Sequence, residues 1–135
     1  MVFALVCAAG LAAGVTSSSA AAVSRNIVVV LNTSDVVNGN VSSVAALNEK
    51  PGRDGISLRE ALEAADHTRG TGIVYIMFSH RLNGRTIELR SGLPPILRSD
   101  LVLEGVAPNG SPASVTLDGA HIGWSKPGTT AQIGL

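Results

Sequence analysis

Pro51-Gly52-Arg53-Asp54-Gly55-Ile56-Ser57-Leu58-Arg59-Glu60-Ala61-Leu62 is the stretch on which the fold reading turns. It joins a Gly-rich loop to a short helix. Pro51-Gly52 and Asp54-Gly55 mark tight turns, because Pro presets one backbone angle and Gly accepts angles that other residues resist. Ser57 is the expected N-cap, with Glu60 three residues on. The Ser57 side chain accepts from the Glu60 amide while the Glu60 carboxylate reaches back to the Ser57 amide, a reciprocal capping box. Leu58, Ala61, Leu62 and Ala65 recur at i, i+3, i+4 and i+7 and form one apolar stripe. Arg59, Glu63 and Asp66 fall on other faces. The helix is expected to end between His67 and Gly70, with Gly70 as the stop. About ten residues are too few to hold a helix in isolation, so the stripe needs an apolar surface beneath it.

The flanking sequence supplies that surface as strands. Upstream, Ile27-Val28-Val29-Val30-Leu31 is a continuous apolar run and reads as a buried strand. Residues 32–48 are Ser- and Asn-rich, carry the turn signal Asn38-Gly39-Asn40, and are expected to be loop. Downstream come Ile73-Val74-Tyr75-Ile76-Met77-Phe78, Thr86-Ile87-Glu88-Leu89, Leu101-Val102-Leu103 and Val115-Thr116-Leu117. The last two continue into Glu104-Gly105 and Asp118-Gly119. Each reads apolar, variable, Leu, acid, Gly, and they stand fourteen residues apart, with Ile87 fourteen before Leu101. Such spacing predicts a repeat in which short strands stack. Aromatic residues are scarce and aliphatic ones abundant, which suits stacked ladders of Val, Ile and Leu. The expected fold is all-β: the N-terminal portion of a right-handed parallel β-helix, with one short capping α-helix at residues 57–65 closing its open end.

Composition narrows the function classes. The 135 residues carry ten Lys and Arg against ten Asp and Glu, so net charge is zero. The charges are interspersed, and a nucleic-acid interface would want them clustered and basic. Residues 3–22 are small or apolar without a charge, and Ser17-Ser18-Ser19-Ala20-Ala21-Ala22 is a small-residue run. That pattern predicts a secretory signal peptide over residues 1–22. No Lys or Arg precedes Arg25, so the basic segment that normally opens such a leader is missing. The apolar stretch is too short for a confident membrane span, which needs about 20 residues. The one cysteine, Cys7, lies in this leader. A mature chain would therefore hold neither a disulfide nor a reactive thiol. The expected organisation is a signal peptide at 1–22, an N-terminal strand, loop and capping helix at 23–70, and the first coils at 71–135.

Residues 51–61 resemble the CSLREA-motif region of bacterial secreted and cell-surface proteins. Val30-Leu31-Asn32-Thr33-Ser34-Asp35 resembles that family's first strand and turn. The later segments, including Leu93-Pro94-Pro95-Ile96, follow in the family's order from about Ile27 to Gly119. Ile56 stands where the name-giving Cys would be, so no thiol chemistry carries over. The resemblance implies the N-terminal cap of a pectin-lyase-like β-helix in an exported, adhesin-like or polymorphic outer-membrane-like protein. It also implies that the chain is a truncated piece lacking further β-helix coils. The expected role is structural or adhesive, at a cell surface or secreted, with extracellular glycans or proteins as partners, no cofactor and no catalytic or metal residues. The alternative is the N-terminal part of a polysaccharide lyase or glycoside hydrolase.

Candidate chemistry is thin. In stacked coils Glu104 and Asp118 would be neighbours on one edge, as a calcium site or a paired-acid site would require; acid-Gly is also an ordinary solvated turn. Glu60 is explained by capping, and Arg59 is expected to pair with Glu63 one turn on. His67, His80 and His121 lack metal-ligand spacing, and His67 suits the C-terminal end of the helix dipole. Ser57 lacks the elbow motif of a serine nucleophile.

Overall fold

The computed structural model describes residues 26–123; the leader expected at residues 1–22 lies outside them. In chain order the elements are β1 (Asn26–Val30), α1 (Val44–Glu49), α2 (Leu58–His67), β2 (Val74–Phe78), β3 (Arg85–Glu88), β4 (Leu101–Glu104) and β5 (Val115–Asp118). A single 3-10 turn, His80–Leu82, links β2 to β3. Among the described residues the named strands pair in parallel, and one isolated antiparallel bridge joins Val106 to Pro112. One sheet has the order β1-β2-β4 and the other pairs β3 with β5.

This overturns the expected all-β parallel β-helix. The described residues form a mixed α/β fold with two helices and two small parallel sheets, neither of which closes. The fourteen-residue repeat misled because similarity between strands is not adjacency. Leu101 pairs with Val74 in the first sheet, and Val115 pairs with Arg85 in the second. The two acid-Gly strands are therefore not stacked on each other. The segment read as loop holds a second correction, α1. Ser43 caps it, its Oγ accepting from the Ala46 amide at 3.1 Å, and Val44 and Leu47 are buried one turn apart. Six residues are too few for helical periodicity to show.

β1 and β2 bury one face each. Val28 and Val30 of β1 and Val74, Ile76 and Phe78 of β2 point into the core, while Ile27, Val29, Tyr75 and Met77 are half-buried on the other side. The β1 run thus alternates and is not buried throughout. The expected stripe of α2 meets this core: Leu58, Ala61, Leu62 and Ala65 are all buried. Both helices pack against β1. Asn48 at the end of α1 donates to the Ile27 carbonyl at 2.9 Å, and the Leu31 amide donates to the Ile56 carbonyl at 2.8 Å. The free edge of β1 is covered in this way, a common defence of sheet edges. The opposite side differs. Leu103 and Leu117 stay 49% and 44% exposed, although their register partners Ile76 and Ile87 are fully buried.

Candidate functional site

The Gly-rich motif and the loop after β1 are bound together side chain by side chain. Ser57 and Glu60 form the expected capping box. The Ser57 amide donates to Glu60 Oε2 at 2.8 Å, and the Glu60 amide to Ser57 Oγ at 3.3 Å. Glu60 does more than cap. Its Oε1 accepts from the amides of Asn38 and Gly39, both at 2.7 Å, and the residue is fully buried. A carboxylate accepting three backbone amides closes the 36–39 loop onto the start of α2. The Ser57 hydroxyl donates to the Val36 carbonyl at 2.8 Å and adds to the same closure. Ser57→Ala is therefore expected to cost at least about 1 kcal/mol, read as a lower urea midpoint. Superimposable unfolding curves would refute the cap.

The glycines here answer close approach. A Cβ on Gly52 would lie 1.7 Å from Asn38 Oδ1, and the residue has φ +82. A Cβ on Gly39 would stand 2.7 Å from Leu47 Cδ1. Beside them, Asp54 Oδ1 accepts from Asn38 Nδ2 at 2.6 Å, and Asp54 Oδ2 lies 2.9 Å from the Ser34 hydroxyl. These hydrogen bonds hold the Asp54 carboxyl below its ordinary value.

Arg59 departs from expectation. It leaves Glu63 alone and forms a two-pronged pair with Asp35, Nε to Oδ1 at 2.8 Å and Nη2 to Oδ2 at 2.9 Å. It also donates to the carbonyls of Gly92 and Ser91 at 2.8 and 3.0 Å. Asp35 further accepts from the Arg90 amide at 2.7 Å. Burial works against its charge, and the Arg59 guanidinium with the Arg90 amide more than offsets it, so its carboxyl lies below 3.8.

Neither a protein-family model nor a curated protein nor a solved structure matches this chain. The site must be read from its own geometry.

The structure separates the residues that stacking would have united. Glu104 ends β4 beside Met77, and Asp118 ends β5 beside Glu88, in different sheets. The calcium or paired-acid reading of these two residues falls with the repeat, leaving the solvated turn. Among the described residues no three His, Cys, Asp or Glu side chains gather as metal ligands. His67 Nδ1 lies 2.8 Å from the Val41 carbonyl at the end of α2; His80 opens the 3-10 turn, and His121 borders a cleft with Glu88 and Arg90. Sequence reasoning missed Asp35, Asn38 and Asp54 as partners of the motif. The one local signal for Asp35 and Asn38 was the cluster of short polar residues just past β1, and Asp54 stood in the motif as a turn residue.

The half-buried face of the first sheet floors an open groove of about 890 Å³. Ile27, Tyr75 and Met77 form the floor, and Asn26, Arg69 and Glu104 contribute polar groups at its rim. A mainly apolar floor with a few placed polar groups is the usual make-up of a ligand site. Parallel sheets normally have both faces covered; among the described residues this face is half-buried. Among the described residues neither Arg69 nor Glu104 takes part in an ion pair.

Proposed function

We propose that the chain is a non-catalytic binding module of an exported protein, displayed at a cell surface or secreted, and that it engages extracellular glycans through the groove over β1 and β2. One observation carries this reading: the motif side chains Asp54, Arg59 and Glu60 are all engaged internally, together with Asp35. They serve to rigidify a scaffold. Among the described residues the groove combines an apolar floor with the charged groups Arg69 and Glu104, which take part in no ion pair there. Tyr75 offers a ring for the apolar face of a sugar, while Asn26, Arg69 and Glu104 offer donors and acceptors to hydroxyls. Kinship with the CSLREA-motif proteins belongs to the same reading, supported by residues 51–61 and the order of segments around them. Export is supported by the uncharged leader.

The test is binding of the full chain to a panel of immobilised neutral and acidic polysaccharides. At least one is expected to be retained. Tyr75→Ala, on the face away from the core, is expected to weaken retention about tenfold, equivalent to about 1.4 kcal/mol, with the unfolding curve unchanged. A panel with no retained glycan, or a Tyr75→Ala protein that binds as well as the parent, would refute the reading.

A further inference from the structure

Residues 89–100 link β3 to β4 without forming a strand or helix. Beyond Leu89, which belongs to the core, one side chain of the link, Leu93, packs against that core. The remaining attachments are polar and lie at two ends. At the near end the Arg90 amide donates to Asp35 at 2.7 Å, and Arg59 donates to the Ser91 and Gly92 carbonyls. At the far end the Leu97 amide donates to Asp66 at 3.1 Å. Arg98 there donates to the carbonyls of Ala65, Thr68 and Gly72 at 2.9, 3.1 and 3.0 Å. The segment is buckled across α2 at both ends.

We propose that residues 90–97 form a strap over α2, that the Asp35 carboxylate is the latch holding its near end shut, and that the strap opens as a unit while both sheets stay intact. The geometry supports the division. Asp35 is the shared acceptor of the Arg59 guanidinium and the Arg90 amide, so losing its charge frees both at once. Without Asp35 to orient it, Arg59 no longer fixes the Ser91 and Gly92 carbonyls. The far end does not depend on Asp35, because Arg98 is held by backbone carbonyls and Asp100. It therefore acts as the hinge. The sheets pair strand to strand and share no hydrogen bond with residues 90–97. Regions held by few apolar contacts are where local opening occurs below the energy of global unfolding.

The charged groups around Asp35 set the conditions. Arg59 faces it from α2 and Arg90 from the strap. Glu88 of β3 borders the same cleft, and Asp54 reaches it through Ser34. The Asp35 carboxyl is held below 3.8. The latch is accordingly complete above that pH and is lost as pH falls through the lowered value.

Residue-resolved amide exchange of the full chain at pH 7, 5 and 3, corrected for intrinsic rates, tests the strap. In Asp35→Asn at pH 7 the Arg90 amide is expected to lose at least about tenfold in protection relative to the parent while Val28 and Ile76 keep theirs. The Arg59 Nε–H resonance should shift in step with the Arg90 amide. Asp54→Asn, which alters the neighbouring carboxylate, should leave the strap closed. Strap and sheet amides losing protection together, in the parent at low pH or in Asp35→Asn at pH 7, would overturn the proposal. So would an Asp35→Asn protein as protected as the parent, or an Asp54→Asn protein that opens.

Discussion

Replacing Glu60 with Ala is expected to remove about 4 kcal/mol of folding stability. Three backbone amides, those of Ser57, Asn38 and Gly39, lose their acceptor. A polar group stranded away from water costs about 1–3 kcal/mol, and the site is fully buried. For a small domain stable by about 5–15 kcal/mol, a loss of that size is a large fraction of the total. Glu60→Gln should cost about half as much, because the amide oxygen still accepts while the NH₂ meets a donor where the second carboxylate oxygen had been. Urea unfolding of the three proteins reads the order directly. A Glu60→Ala protein within about 1 kcal/mol of the parent would show that the loop closes without this carboxylate.

Arg59→Met is the second large effect, at about 3 kcal/mol. It strips the partner from Asp35, whose side chain is 1% exposed in the intact pair. Breaking a buried pair from one side is costly because the remaining charge is left uncompensated. Arg59→Lys should be only partly protective. An ammonium is a point charge and cannot span two carboxylate oxygens and two carbonyls as the guanidinium fork does. Adding Asp35→Ala to Arg59→Met should recover part of the loss, giving a coupling energy of about 1–3 kcal/mol in a double-mutant cycle. Additive losses would mean that the two side chains contribute separately.

The local structure was legible where pattern and chemistry agreed. Ser57 and Glu60 announced the capping box, and Leu58, Ala61, Leu62 and Ala65 announced the buried stripe of α2. Each strand also appeared close to its expected place, because β-branched runs flanked by Gly and Pro have few alternatives. The arrangement was not legible. Pairing Leu101 with Val74 is a decision of tertiary packing, and the likeness of the two acid-Gly strands pointed elsewhere. The role of Arg59 was hidden for a related reason. Glu63 stands at helical spacing from it, whereas Asp35 lies across a loop that the sequence marks only as polar. The groove was invisible because Ile27, Tyr75 and Met77 look like core residues until the alternation with Val28, Val74 and Ile76 is seen.

The register of β1 and β2 has a kinetic consequence. Asn26 pairs with Val74 and Val30 with Phe78, so partners stand forty-eight positions apart along the chain. Everything between them, both helices included, must be gathered before the first rung can form. Entropy is lost early and rewarded late, which is the recipe for slow folding relative to length. During that wait the valines of β1 have no seat, so refolding at high concentration should favour off-pathway clumping, and dilution should restore the yield.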